Sequence, residues 1–577
     1  MRYIRVIIVL LIALTAAGQQ PLDVHAQAEN NPRFGLVDAY QAPTFAADSG
    51  AGWELLTLSW ADLQPDGPDQ WQADPAIDEW LTTARAQGRE IVIVLKDTPS
   101  WAADAEPIIG PPAGLFLPVA ESGNLWAGFM REVVNYYSAR GVDRYVIWAE
   151  QDIPTNRTNA TWSGSIEEYY QLVKVGYQVA KDANPNAQIH LGGATYTDPA
   201  WFSRFMQEVI DDPTAAANNY YFDVASIHVF GSPEDVYIRT GNHYGVMAQS
   251  GIPAKPVWIN QLNARPTEDP VYTGDELFAP FPNITLDQQR SFMLQAYALG
   301  FAAGADRIAV YQLEDDLAAD EGEAYGLVRA DGTVRPAYEG YQLAADLFSN
   351  SVFERRVDEE AFPLIDYVRF TSPERVIHVA WGRTAATATL TIPARTEQAT
   401  IIRVDGQSWA VEPTNGVYNL VVEGASCTDP VYTCLIGGRP WVLVEEGVED
   451  AVDSPAPPVS VSEGGTLQMP PAATETPPTA APTATSQAAD GTTPPPTPTP
   501  MPQEPTEVPA TTVAEQPAAD GEDEGAAASP DGEIVNQIEQ ELQPQGLRSI
   551  LPFLMSGLGM VTIIGGVIYF VSSAPPR

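Results

Sequence analysis

Positive charge is scarce in this sequence. Its 577 residues carry 30 Lys and Arg against 75 Asp and Glu, a formal net charge of −45. Nucleic-acid binding depends on clustered cations that release counterions from phosphates, so a nucleic-acid partner is excluded. Part of the negative excess lies in a Pro-rich linker, where it bears on solubility and on repulsion from anionic surfaces. Cysteine is scarcer still, with Cys427 and Cys434 the two in the chain. In an exported protein two cysteines this close read as a small loop-closing disulfide, with a pair of free thiols as the alternative. A metal centre would need His or carboxylate partners nearby, and Asp429 alone adjoins them, so no metal is expected. No Gly-rich phosphate loop follows the first predicted strand, which argues against a doubly wound nucleotide-binding sheet. No cofactor is expected.

The two ends carry addressing signals. Met1 to Arg5 is followed by an apolar run from Val6 to Ala17 and by the small-residue pattern Val24-His25-Ala26. Residues 1–26 therefore read as a signal peptide, with cleavage after Ala26 or Ala28. Ile550 to Val571 is an uncharged, mostly apolar run of the length that crosses a bilayer as one helix. The expected topology is an exported, cell-surface ectodomain with a single membrane anchor through this C-terminal helix. Residues 448–546 are rich in Pro, Thr, Ala, Glu and Asp, and bury too little apolar surface to offset their ordering entropy. They read as a disordered acidic stalk.

Between these ends, residues 33–350 alternate short apolar runs with longer amphipathic segments, the pattern of repeated βα units. Candidate strands are Phe34 to Val37, Leu55 to Trp60, Glu90 to Leu95, Tyr145 to Trp148, Ile189 to Gly192, Val224 to Val229, Val257 to Ile259 and Ile308 to Leu313. Eight such units predict an α/β fold, a (β/α)8 TIM barrel. Residues 352–447 change to short alternating runs such as Arg375 to Trp381 and Thr387 to Ile392, which predict a small antiparallel β-sandwich. Its simplest role is a stabilising module.

The chemistry of such a barrel sits at the C-terminal ends of its strands. There Arg144 to Trp148 runs into Ala149-Glu150-Gln151-Asp152, and Pro256 to Ile259 runs into Asn260-Gln261-Leu262-Asn263. With Thr98-Pro99-Ser100-Trp101, Ser226-Ile227-His228 and Arg335-Pro336-Ala337-Tyr338, in this order and spacing, the chain resembles the glycoside hydrolase clan that includes families 5 and 39. The resemblance covers roughly residues 34–446. It implies an O-glycosyl hydrolase acting on a polysaccharide or glycoside, with Glu150 as acid/base. It further implies a carbohydrate partner, bound by polar groups such as His228, Asn260 and Gln312; the aromatics Trp60, Trp101, Trp148, Trp162, Tyr196, Trp258 and Tyr311, at or just after strand ends, could stack on sugar faces, with core packing as the alternative for each.

The departures from the family pattern are concentrated in one place. Gln261 stands where the clan has its nucleophilic Glu, and an amide can neither form the glycosyl ester nor stabilise an oxocarbenium-like transition state by charge. Ala149 replaces an Asn that would bind the sugar 2-hydroxyl. Phe230 follows His228-Val229 where relatives often place a Tyr that holds the nucleophile. Asp97, Glu314, Asp315 and Asp316 are the carboxylates that could substitute in an inverting mechanism. Two functions follow: a hydrolase weakened or altered by the loss at position 261, or a catalytically inactive carbohydrate-binding surface protein.

Overall fold

A computed structural model of the chain describes residues 30–267, 269–271, 284–316, 324–351, 353–357, 363–426, 434–448 and 458–467. The predicted signal peptide, the apolar run at 550–571 and Cys427 lie outside them. Cys434 lies within them and is disulfide-bonded. Among the described residues no helix is long and apolar enough to cross a membrane.

All eight predicted barrel strands form. They are β1 (Asn31–Val37), β2 (Ala51–Ser59), β3 (Glu90–Lys96), β4 (Arg144–Ile147), β5 (Gln188–Leu191), β6 (Ala225–Phe230), β7 (Val257–Asn263) and β8 (Arg307–Val310). They are parallel in the order β5-β4-β3-β2-β1-β8-β7-β6. Bridges from His190 to Val224 and from Ala194 to Ile227 close the ring between β5 and β6. Runs such as Ile91-Val92-Ile93-Val94-Leu95 are apolar on both faces because both faces are covered. Val37, Trp53, Leu55, Val92, Val94, Val146, Trp258 and Ala309 fill the barrel interior.

Two short helices, α1 (Pro43–Asp48) and α2 (Trp60–Leu63), precede the outer layer. That layer comprises α3 (Pro75–Ala86), α4 (Leu125–Ser138), α5 (Ile166–Ala183), α6 (Trp201–Asp211), α7 (Pro233–Gln249), α8 (Leu286–Ala302) and α9 (Pro336–Leu347). Capping boxes at Ser165/Glu168 and Thr285/Gln288 satisfy the first amides of α5 and α8 and fix where those helices begin.

One ionisable residue is buried on β2. Glu54 is fully buried, accepts a 2.6 Å hydrogen bond from Trp80 Nε1, and lies 3.6 Å from Arg89 Nε. Burial pushes its carboxyl up to about 7, outweighing Trp80 and Arg89, which act in the opposite direction. Because the folded pKa exceeds the unfolded one, the folded state holds the extra proton. Its stabilising contribution is complete below about pH 4.5 and is lost as pH rises through 7. The expected result is a fall of about 2–3 kcal/mol in unfolding free energy between pH 5 and pH 8, absent from the Glu54→Gln variant. Denaturant unfolding of both proteins across that range checks it, and parallel pH profiles would refute it.

The remaining strands form the predicted sandwich. One sheet has the order β14 (Ser408–Val411), β13 (Ala399–Arg403), β16 (Trp441–Glu446), β11 (Arg375–Gly382), β10 (Ile365–Ser372), β9 (Phe353–Arg356). The other is β15 (Val417–Val422), β12 (Ala388–Pro393), β17 (Ser460–Glu463). Strand β17 corrects the sequence reading, which begins the stalk at residue 448. Its Ser-Val-Ser-Glu alternation pairs antiparallel with β12, and Val459 and Val461 pack on the sandwich core.

Period-2 alternation gives the six-stranded sheet two apolar faces. Tyr367, Ala380, Ile401, Trp441 and Leu443 face the smaller sheet. Val368, Phe370, Ile377, Val379 and Trp381 belong to the same continuous core as the barrel. Phe370 stacks on Phe348 just beyond α9 at 4.1 Å between centroids. Gln295 of α8 donates to Gly438 O at 2.8 Å, and Arg356 makes a bidentate pair with Glu234 of α7.

Candidate functional site

The barrel mouth gathers Glu150, His228, Asn260, Gln261 and Gln312. Strand β4 ends at Ile147, one residue earlier than its apolar run suggests, because Trp148 takes φ 68°. Glu150 also takes a left-handed conformation, φ 57°, and its amide donates to Gly193 O at 3.0 Å beyond β5. Each such non-glycine residue costs about 1–3 kcal/mol of backbone strain. The turn carries Glu150 to the mouth, where its side chain is 24% exposed and Oε1 lies 2.8 Å from His228 Nδ1.

His228 is held by close packing. A Cβ at Gly193 would fall 2.0 Å from His228 Cδ2, 2.1 Å from Nε2 and 2.9 Å from Asn260 Oδ1, so only glycine admits the ring there. On β7 the register against β6 slips between Ile259 and Gln261, leaving Asn260 as the extra residue of a bulge. Gln261 then pairs directly with His228 across the two strands. The amide of Gln261 is therefore next to the histidine that contacts Glu150. Gln261 is half-buried, and no hydrogen bond of its side chain is formed among the described residues.

Several buried polar atoms at this mouth have no hydrogen-bond partner among the described residues: His228 Nε2, Asn260 Nδ2 and Oδ1, and Gln312 Nε2. Their residues are 1–2% exposed. Leaving buried donors and acceptors unmatched costs roughly 1–3 kcal/mol each, so buried water or another polar group is expected to meet them.

The structure corrects three of the aromatic assignments. Trp60 and Trp148 are fully buried, with indole N–H groups committed to Gln64 Oε1 and Thr161 O at 2.8 Å each. Trp258 is 1% exposed and belongs to the interior plug, and it bonds Asp306 at the N-terminal end of β8. These rings pack the protein and cannot stack on a ligand. Trp101 is half-buried, edge-on to Trp60, with its N–H donated to Gln64 O at 2.7 Å. Tyr311 is half-buried and meets Phe230 and Tyr325 edge to face at 5.6 and 5.7 Å. Phe230 and Tyr325 complete an aromatic wall that the sequence does not reveal, since Tyr325 lies in a loop without periodicity.

The substitute carboxylates differ in freedom. Both oxygens of Asp315 are taken by the bidentate guanidinium of Arg335, which is fully buried. Asp315 is thereby removed as a base. Burial raises the carboxyl pKa of Asp97, which is paired with Lys96 at 3.3 Å. Burial likewise raises that of Glu314, helped by the charge on Asp315. Asp152, beside Glu150 in sequence, accepts from Thr195 N and Oγ1 and so staples the β4 and β5 loops together. Among the described residues no cluster of His, Cys, Asp or Glu could hold a metal.

The chain is similar to several solved structures. A family 39 glycoside hydrolase from the gut symbiont Bacteroides cellulosilyticus WH2 superposes with a TM-score of 0.55 at 16% identity, over 73% of this chain and 82% of its own. The catalytic domain of GH30 xylanase C from Talaromyces cellulolyticus gives a TM-score of 0.49 at 13% identity, over 72% of this chain and 97% of its own. A GH39 β-xylosidase from Caulobacter crescentus gives 0.48 at 12%, over 73% and 98%. The first of these likenesses shows that the chain shares the fold of that family 39 glycoside hydrolase over 73% of its length. No family model matches the sequence, and no curated protein matches it.

Proposed function

We propose that the glycoside-hydrolase-like barrel binds a carbohydrate at its mouth and lacks the double-displacement chemistry of retaining enzymes. The observation that carries this reading is the partly exposed carboxylate of Glu150 bonded to His228, with the half-buried neutral amide of Gln261 beside it. Hydroxyl groups of a sugar can both donate and accept, which suits a mixed set of imidazole and amide partners. Tyr311, Phe230 and Tyr325 supply an adjacent apolar wall for a sugar face. The neutral Gln261 beside His228 supports binding over turnover. The predicted signal peptide, stalk and C-terminal apolar run support display of this cleft outside the cell.

A second reading, inverting hydrolysis, is favoured by the accessibility of Glu150 and the raised pKa of Glu314, and would use them as acid and base.

Asn260→Leu separates a ligand-binding role from a packing role. It removes two unmatched polar groups at nearly constant volume, so the free protein should gain about 1 kcal/mol of stability. The same change should weaken binding to the oligosaccharide that the wild type retains by roughly tenfold or more. Calorimetry against a panel of xylan, glucan, mannan and pectin oligosaccharides, with denaturant unfolding alongside, reads both. Wild-type release of reducing sugar that is abolished by Glu150→Gln would overturn the binding-only reading.

A further inference from the structure

A second cluster of unmatched polar groups lies in the sandwich, on the sheet face turned away from the barrel. Arg369 of β10 is directly opposite Arg355 of β9 on one side and His378 of β11 on the other. Directly opposed residues share a face, with Cβ atoms about 5 Å apart. Thr371, two residues along β10, lies on that same face. Arg395 follows β12 where the chain crosses from the small sheet to the large one, and its amide donates to Glu445 Oε1 at 2.7 Å.

This cluster has a charge imbalance. Among the described residues three guanidinium groups meet one carboxylate, Glu445, whose oxygens are already used. Its Oε1 accepts from Arg395 N, Thr396 N and Thr396 Oγ1, and its Oε2 lies 3.1 Å from His378 Nε2. His378 is occupied on its other side by Tyr367 at 2.6 Å. Arg369 is 7% exposed and Thr371 1% exposed. Arg369 Nε, Arg395 Nη1 and Thr371 Oγ1 are buried without a hydrogen-bond partner among the described residues. Burial and the neighbouring charges of Arg395 and Arg355 lower the pKa of Arg369, with Tyr367 opposing them. In a chain with 75 acidic residues, a carboxylate to neutralise this cluster would be easy to supply, and elsewhere buried arginines have one.

We propose that Arg355, Arg369, Arg395 and Thr371 form a binding site for an oxyanion, the carboxylate or sulfate group of an external ligand. Guanidinium groups present paired N–H donors that match the two oxygens of such a group, and the hydroxyl adds a third donor. Arg355 is exposed, which gives the anion a route in. This site is independent of the barrel mouth and of the function proposed for it.

The test is titration of the purified full chain with sodium sulfate and with sodium glucuronate at constant ionic strength, read by calorimetry and melting temperature. Sulfate stabilises proteins generally by exclusion from their surfaces, so the informative signal is the saturable part. Saturable binding is expected for the wild type, weakened at least about tenfold in Arg369→Gln. Arg355→Gln, at an exposed position that does not threaten folding, should weaken it by roughly threefold or more. Without added anion Arg369→Gln should melt higher than the wild type, because it relieves crowding of like charges, whereas a structural role would make it melt lower. Binding of sulfate but not glucuronate assigns the site to tetrahedral anions, and binding of both assigns it to oxyanions generally. A wild-type response that follows ionic strength alone, or one unchanged in both variants, overturns the proposal. If Arg369→Gln does not fold, the Arg355→Gln titration decides.

Discussion

Replacing Arg335 by Met is expected to lower the unfolding free energy by about 3–5 kcal/mol, the cost of leaving buried charges unpaired. Arg335 is fully buried and spends its guanidinium on two loops of the barrel mouth. Nη1 and Nη2 donate to Asp315 at 2.7 and 2.8 Å, Nη1 also to Gly326 O at 2.5 Å, and Nε to Asp269 Oδ2 at 2.8 Å. Arg329 shares Asp269, whose pKa is lowered because these hydrogen bonds outweigh its burial. Without Arg335 the buried carboxylates of Asp315 and Asp269 lose the guanidinium that they share. The loop that carries Tyr325 loses its anchor at Gly326, so carbohydrate binding should fall together with stability. Arg335→Lys keeps the charge but cannot make the fork, and should recover only part of the loss. Chemical unfolding of the three proteins checks this order. A loss below about 1 kcal/mol for Arg335→Met would show that the loops are held by other means.

Gln261→Glu is expected to have the largest effect on chemistry. The β7 bulge sets position 261 beside His228, which in turn holds Glu150. A carboxylate there would restore the two-carboxyl arrangement of a retaining glycosidase, for which the separation is about 5–5.5 Å. Against activated aryl glycosides the variant should exceed the wild type by on the order of 10²–10³, the usual value of one charge-stabilising group in a closed site. A 2-deoxy-2-fluoro glycoside should leave a covalent adduct on the introduced carboxylate, detectable by mass and absent from the wild type. With Ala149 and Phe230 also departing from the family pattern, turnover should stay far below that of an intact enzyme. An inert variant that still binds sugar would place the reacting bond away from position 261.

The fold is legible because barrel strands buried on both faces leave continuous apolar runs in the sequence. The exception is instructive. Strand β7 runs to Asn263, but Asn260, Gln261 and Asn263 interrupt its apolar pattern, so the sequence pattern ends it at Ile259. That early end makes Trp258 look like a rim residue, when it plugs the barrel floor. Trp60 and Trp148 mislead for a related reason: closeness to a strand end does not say whether a ring points over the cleft or under a helix. Glu150 and His228 are both identifiable, but their contact joins residues 78 apart and depends on a glycine whose role is steric. The arginine cluster leaves no motif at all, since it depends on cross-strand register.

The shared core of barrel and sandwich bears on where the chain can be divided. An excised barrel ending near residue 350 would uncover α8, α9 and the apolar slab that Phe370, Val379 and Trp381 normally cover. A fragment ending at 447 would strip the outer strand from β12 and leave a raw edge open to other chains. The smallest piece that keeps every described strand paired runs through Glu463, so proteolysis should release barrel and sandwich together.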